Sequence, residues 1–149
     1  MLDLVLFLKT TPLFRSVPLE DIARVARLAQ PVAVEQGDTI ADADDPVRHI
    51  YVVRNGAIEL RLNGVGVEVA AAGASIGEAA VFGEERHVVS ARAASPALLL
   101  RFPISIIADL VAENPEVLGP VALDLSARLN RLRARLAMEA VASAPCAAG

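Results

Sequence analysis

The chain has 149 residues, with 54% hydrophobic and 21% charged side chains. That size and balance fit one globular domain and exclude a disordered chain. Net charge is −4, lysine occurs once (Lys9) among 14 basic residues, and aromatics are 3% with no tryptophan, so neither a basic nucleic-acid surface nor a base-stacking platform is evident. Charges interrupt every apolar run before it reaches membrane-spanning length. At the N-terminus, Asp3 precedes the apolar block and Lys9 follows it, the reverse of a secretory leader, and the one cysteine, Cys146, cannot form a disulfide framework. A cytoplasmic protein is expected.

In chain order, Leu2 to Lys9 reads as a short helix closed by Thr10-Thr11-Pro12, with Leu13-Phe14 a buried connector. A second helix starts at Ser16-Val17-Pro18-Leu19-Glu20-Asp21, which places a serine and a proline ahead of acids in the first turn, and runs to about Gln30-Pro31. The period then changes to that of strands: Val32 to Val34, Thr39-Ile40, Ile50 to Val53, Ile58 to Leu62 and Val65 to Val69. Turn residues at Gln36-Gly37-Asp38, Asp44-Asp45-Pro46, Asn55-Gly56 and Asn63-Gly64 separate them. Gly73 to His87 breaks the pattern, and Ile76 to Gly83 within it reads as one helical turn inside a β domain. Strands resume at Val88 to Ala91 and Ala97 to Phe102. Ile104 to Ala112 is helical, Asn114-Pro115 interrupts, and a long helix runs from about Glu116 to Met138. The expected fold is α+β and mainly β: an antiparallel, jelly-roll-like β-roll with N-terminal helices and C-terminal hinge and lid helices. Residues 1–138 form one domain in this reading, and 139–149 a disordered tail.

These residues resemble the cyclic nucleotide-binding domain superfamily, the sensor module of catabolite-activator-like regulators, cyclic-nucleotide-dependent kinases and gated channels. The likeness runs from about Leu6 to Leu136. It rests on Leu6-Phe7-Leu8 with Pro12-Leu13-Phe14, on Gly37-Asp38-Thr39-Ile40 through Tyr51 to Gly56, and on Gly77-Glu78-Ala79-Ala80 followed by Ser90-Ala91-Arg92-Ala93, which matches the phosphate-binding cassette and the strand after it. The resemblance implies that Glu78 accepts a hydrogen bond from a ribose hydroxyl, that a residue ten after Gly77 pairs with the cyclic phosphate of cAMP or cGMP, and that Ser90 contacts phosphate or base. Independently, a one-turn helix offers free N–H groups to an anion, and Gly77 allows close backbone approach.

The residue ten after Gly77 is His87, where the family has arginine, and Arg86 takes the place of the usual proline. An imidazole offers one donor and is mostly neutral at pH 7, whereas a guanidinium binds phosphate through two. Three outcomes follow: Arg86 substitutes one residue early with His87 assisting, the site prefers another anion or nucleotide, or the fold serves as a ligand-free interaction module. The ligand-binding candidates are thus Gly77, Glu78, Ala79, Ala80, Arg86, His87 and Ser90.

No nucleophile elbow, Walker-type loop or Cys/His pairing is present, which points away from an enzyme, and the two histidines form no metal signature. Asp42, Asp44 and Asp45 read as a turn, and Glu84-Glu85 as a solvated loop able to neutralise Arg86. In the last helix Leu118, Leu125 and Leu132 repeat every seven residues, as do Ala122, Leu129 and Leu136. Leu125, Leu129, Leu132 and Leu136 are candidates for a lid over the ligand or a homodimer contact, and Arg128, Arg131, Arg133 and Arg135 fall on the other faces. The helix-turn-helix of the transcription-factor relatives does not follow, so DNA binding by this chain alone is not expected.

Overall fold

The computed structural model describes residues 1–143, so the expected order or disorder of residues 144–149 lies outside it. Two helices, α1 (Leu2–Lys9) and α2 (Leu19–Ala26), lead into eight strands: β1 (Gln30–Val34), β2 (Thr39–Ala41), β3 (His49–Asn55), β4 (Ile58–Leu62), β5 (Val65–Ala70), β6 (Ser75–Ile76), β7 (Ser90–Ala93) and β8 (Ala97–Pro103). A 3₁₀ turn, Glu78–Phe82, sits between β6 and β7. After β8 come α3 (Ile104–Glu113), a 3₁₀ turn at Pro115–Val117 and α4 (Leu118–Ser143). The strands form two four-stranded antiparallel sheets, ordered β1-β8-β3-β6 and β2-β7-β4-β5. This is the expected β-roll between N- and C-terminal helices.

The apolar patterning explains the layering. In β3, Ile50 and Val52 point to the helices while Val53 joins the space between the sheets. In β8, Leu100 and Phe102 face the helices and Leu99 faces the other sheet. Both faces of this sheet are covered, so its central strands read as unbroken apolar runs. In β4, by contrast, Ile58 and Leu60 are buried whereas Glu59 and Arg61 face outward, the alternation of a sheet with one wet face. The helix-side core centres on Phe14 and Phe102, both fully buried with ring centroids 5.5 Å apart, and gathers Leu8, Ile22, Ile107 and Leu110. The inter-sheet core relies on small residues, Ala41, Ala70, Ala91, Ala93 and Ala97.

Several boundaries differ from the expectation. The second helix ends at Ala26, short of Gln30-Pro31, because Gln30 and Pro31 already pair with β8 as the start of β1. Val88 and Val89 precede the strand, because β4 ends at Leu62 and turns at Asn63-Gly64, so the β4–β7 ladder closes at Arg61 opposite Ser90. Ser75–Ile76 is a short strand paired with Tyr51 and Val52, and it delivers the chain to Gly77 from a fixed direction. The long helix continues through Ser143, so residues 139–143 are helical where a disordered tail was expected. Its alanine-rich end has high helix propensity, which sustains helix past the last leucine of the seam. No helix among the described residues is long and apolar enough to cross a membrane.

Candidate functional site

The expected helical turn is present and is held at both ends. Gly77, with φ +88°, forms its N-cap, and Gly83, with φ +97°, closes it, with the Gly83 N–H donating to the Ala80 carbonyl at 3.0 Å. A Cβ built on Gly77 would lie 3.2 Å from the His49 carbonyl oxygen and 3.3 Å from His87 Cε1. Both the left-handed backbone and the close approach therefore require glycine here. The turn rests on the helix-side core through Val81. Being in contact with both α3 and α4, it couples the roll to the C-terminal helices.

Six of the seven candidate ligand residues, Gly77, Glu78, Ala79, Ala80, Arg86 and His87, line one cavity of about 260 Å³. Its walls are otherwise mostly apolar (Ile76, Val89 and Leu125 among them), so a charged group inside is poorly screened. Ser90 stands apart from this cavity. It opens β7, half-buried, and its hydroxyl lies 3.4 Å from the Arg61 carbonyl.

Glu78 is 5% exposed. Burial raises its pKa, opposed chiefly by the nearby Arg128 guanidinium. Arg128 Nη1 donates to Glu78 Oε1, its Nε donates to Glu68 Oε2 at 3.1 Å, and Asp124 Oδ2 lies 3.8 Å from Nη1. Desolvation works against the Arg128 charge, but Glu78 and Glu68 outweigh it and raise its pKa. Sequence analysis assigned Arg128 to the outer faces of the last helix; in the structure its side chain is only 14% exposed. The signal was available in the spacing: Arg128 lies three residues after Leu125 and four before Leu132, on the stripe that turns inward. Glu68, on β5, gave no such signal: between Val67 and Val69 it reads as the polar position of an alternating strand, whereas its register opposite Leu60 sets it on the face that meets α4.

Arg86 is exposed, and its Nη1 donates to the Asp44 carbonyl at 2.6 Å. The Asp42–Asp45 turn thus anchors Arg86 as well as reversing the chain. His87 is 9% exposed, and burial lowers its pKa against a weaker opposite pull from Asp45, so the ring is neutral at pH 7. Its backbone is fixed to the turn on both sides: N–H to the Asp45 carbonyl at 2.9 Å, and carbonyl from the Asp44 N–H at 2.8 Å. The ring makes no hydrogen bond among the described residues, and it lies between the cassette cavity and a polar cavity of about 350 Å³ lined by Asp42, Asp45, Arg48, His49 and Tyr51. No group of three or more His, Cys, Asp or Glu among the described residues is placed to hold a metal ion.

Of the four candidate lid residues, Leu125 packs against the helix-side core and lines the cassette cavity. With Leu129 and Leu132 it also lines a second cavity of about 320 Å³ between α4 and β5. Arg128 borders both cavities. Leu136 lines neither cavity and is 54% exposed. Arg135 reaches back to the Val67 carbonyl on β5, pinning the far end of the lid.

The fold has known relatives. Over 108 residues the chain is 27% identical to the Pycsar effector protein BcPycTIR of Burkholderia cepacia, a match covering 72% of this chain and 36% of that protein, so the chain spans about a third of this curated relative. In fold it is similar to the sensor domain of the transcriptional regulator DNR from Pseudomonas aeruginosa (TM-score 0.71, 21% identity, 84% of this chain and 92% of that one). It is likewise similar to the Thermus thermophilus catabolite activator protein (TM-score 0.68, 24% identity, 87% and 63%). The regulatory domain of Toxoplasma gondii PKA, solved with cAMP, shares the fold at TM-score 0.67 and 20% identity over 72% of this chain and 42% of that one. The family model described as "Cyclic nucleotide-binding domain" matches residues 31–114, more than half of the chain, from β1 through the cassette turn and to the end of α3. The chain belongs to the cyclic nucleotide-binding domain family.

Proposed function

We propose that this domain is a non-enzymatic sensor of a cyclic nucleotide, cAMP, cGMP or a relative, which it receives at Gly77-Glu78-Ala79-Ala80 and reports by moving α3 and α4. One observation carries the reading: a deeply buried carboxylate, Glu78, borders a cavity beside the left-handed Gly77. A buried carboxylate needs a donor; Arg128 supplies one to Glu78 in this structure, and a ribose hydroxyl is a suitable alternative. The apolar cavity under α4, continuous in its lining with the first through Leu60, Val89 and Leu125, would take the base. His87, neutral and unbonded, offers the ligand one hydrogen bond rather than a charge. Arg86 lines this cavity from the outer loop, and Ser90 is not part of its lining. The helices respond because the turn touches both of them, and the ligand shifts their positions only as far as it binds one arrangement better.

A second reading, a ligand-free interaction or homodimerisation module, is favoured by a different observation. Leu136, Met138 and Val141 on α4 are 54%, 72% and 79% exposed, apolar side chains beyond those that line the cavity against β5. A thermal-shift series with cAMP, cGMP and other cyclic nucleotides separates the two. Ligand at 100 times its dissociation constant adds about 2.7 kcal/mol of stability under the sensor reading. Absence of a shift with every cyclic nucleotide, together with a dimer that dissociates when Leu136 is charged, would replace it with the second.

A further inference from the structure

We propose that Arg128, on the lid helix rather than in the cassette, binds the anionic group of this site's ligand, and that its ion pair with Glu78 is a resting state which only a ligand carrying both an anion and a hydroxyl opens. This rests on the sensor reading above. Two arginines line the cavity. Arg86 is exposed and tied to the Asp44 carbonyl on the outer loop. Arg128 is largely buried, borders both cavities, and carries an Nη2 that has no partner among the described residues. Its Nη1 and Nη2 form the planar edge that matches two oxygens of a phosphate. Glu68 holds Nε at 3.1 Å, so the head stays anchored while Nη1 changes partner.

The two halves of the resting pair have opposite needs. Glu78 can only accept, and Arg128 can only donate. Inorganic phosphate would satisfy Arg128, but its only hydroxyls sit on the anionic phosphorus itself, so pairing Glu78 through one brings a second anion against a buried carboxylate. A nucleoside would satisfy Glu78 through a sugar hydroxyl but leave the guanidinium's Nη1 without its acid. A sugar phosphate ester supplies both groups in one molecule, so the site selects for their combination. Because Arg128 belongs to α4, the anion is then held by the element that closes the cavity. Occupancy and lid position become one event rather than two linked through the cassette.

The test is calorimetric titration of the whole chain with cAMP, cGMP, adenosine and inorganic phosphate, in wild type, R86Q, H87Q, R128K, R128Q and the double variant E78Q/R128Q. Expected is a loss of about 10- to 100-fold in affinity for the tighter cyclic nucleotide in R128Q, with adenosine unchanged or tighter, R128K intermediate, and R86Q within about threefold of wild type. Wild type should bind inorganic phosphate and adenosine each far more weakly than the nucleotide. If R128Q unfolds because Glu78 is left alone, the double variant, which buries no unpaired charge, must show the same lost preference for nucleotide over nucleoside. Retention of that preference in both R128Q and the double variant, or its loss in R86Q or H87Q instead, overturns the assignment while leaving the sensor reading intact. A wild type that binds no cyclic nucleotide overturns both.

Discussion

Replacing Gly77 with alanine probes the cassette without touching a charge. The left-handed backbone, φ +88°, costs an L-residue about 1–2 kcal/mol. The new methyl would also meet the His49 carbonyl oxygen at 3.2 Å, a backbone atom of a central strand that cannot swing aside, and crowding of this kind adds about 1–2 kcal/mol. The total is about 2–4 kcal/mol. Gly83 supplies the control: its φ is +97°, but nothing lies within 4 Å of its built Cβ, so G83A bears the backbone term alone. With a urea m-value of about 2 kcal/mol/M, the G77A midpoint should fall by about 1–2 M and that of G83A by about 0.5–1 M. Equal midpoints for the two variants would refute the close-approach argument, and with it the claim that glycine is needed here for proximity as well as for conformation.

Other consequences can be checked in parallel. Phe102→Ala removes one of two fully buried rings in contact and should cost about 3–5 kcal/mol in urea unfolding. Burial lowers the His87 pKa, so the native state resists its protonation: this part of the stability is complete above the unfolded value of about 6.5 and declines as pH falls from there toward the native value. His87→Gln should remove that decline from a pH series of denaturation midpoints, while His49→Gln, with a shift of the same sign, should remove a separate share. Glu78→Ala should weaken ribonucleotides but leave inorganic phosphate no weaker, read by titration. Leu136→Glu, on the exposed part of α4, should change stability by less than about 0.5 kcal/mol, and light scattering would show whether it converts a dimer to a monomer.

Most of the fold was legible because its signals are local and agree with one another. The Asn63-Gly64 pair predicts a hairpin, and both residues adopt positive φ, 51° and 79°. The alternation in Ile58 to Leu62 places Glu59 and Arg61 outside, and the breaks at Thr10 to Pro12 and Asn114-Pro115 end helices where expected. Boundaries set by partners were not legible. Val88-Val89 has strand character but no ladder beside it, and Ser75–Ile76 is too short to stand out without β3. The site divides in the same way. Gly77, Glu78 and His87 are neighbours in sequence and could be read together, whereas Arg128 reaches them from 50 residues away. The sequence reading set it on the outer faces of the helix although its spacing from Leu125 and Leu132 follows the buried stripe, and only the folded chain sets that stripe over Glu78. The orientation of Arg86 depends on the Asp44 carbonyl, a backbone contact for which the sequence carries no signature.

The most direct measurement is an NMR titration of the isotope-labelled chain with cAMP and cGMP, following the backbone amides of residues 77–80 and the Arg128 side-chain Nε–H. The account predicts saturable shifts confined at first to those amides, the Arg128 resonance and neighbours on α4, with a common dissociation constant. Spectra unchanged at millimolar nucleotide, or shifts scattered over exposed arginines with the cassette amides unmoved, would contradict it.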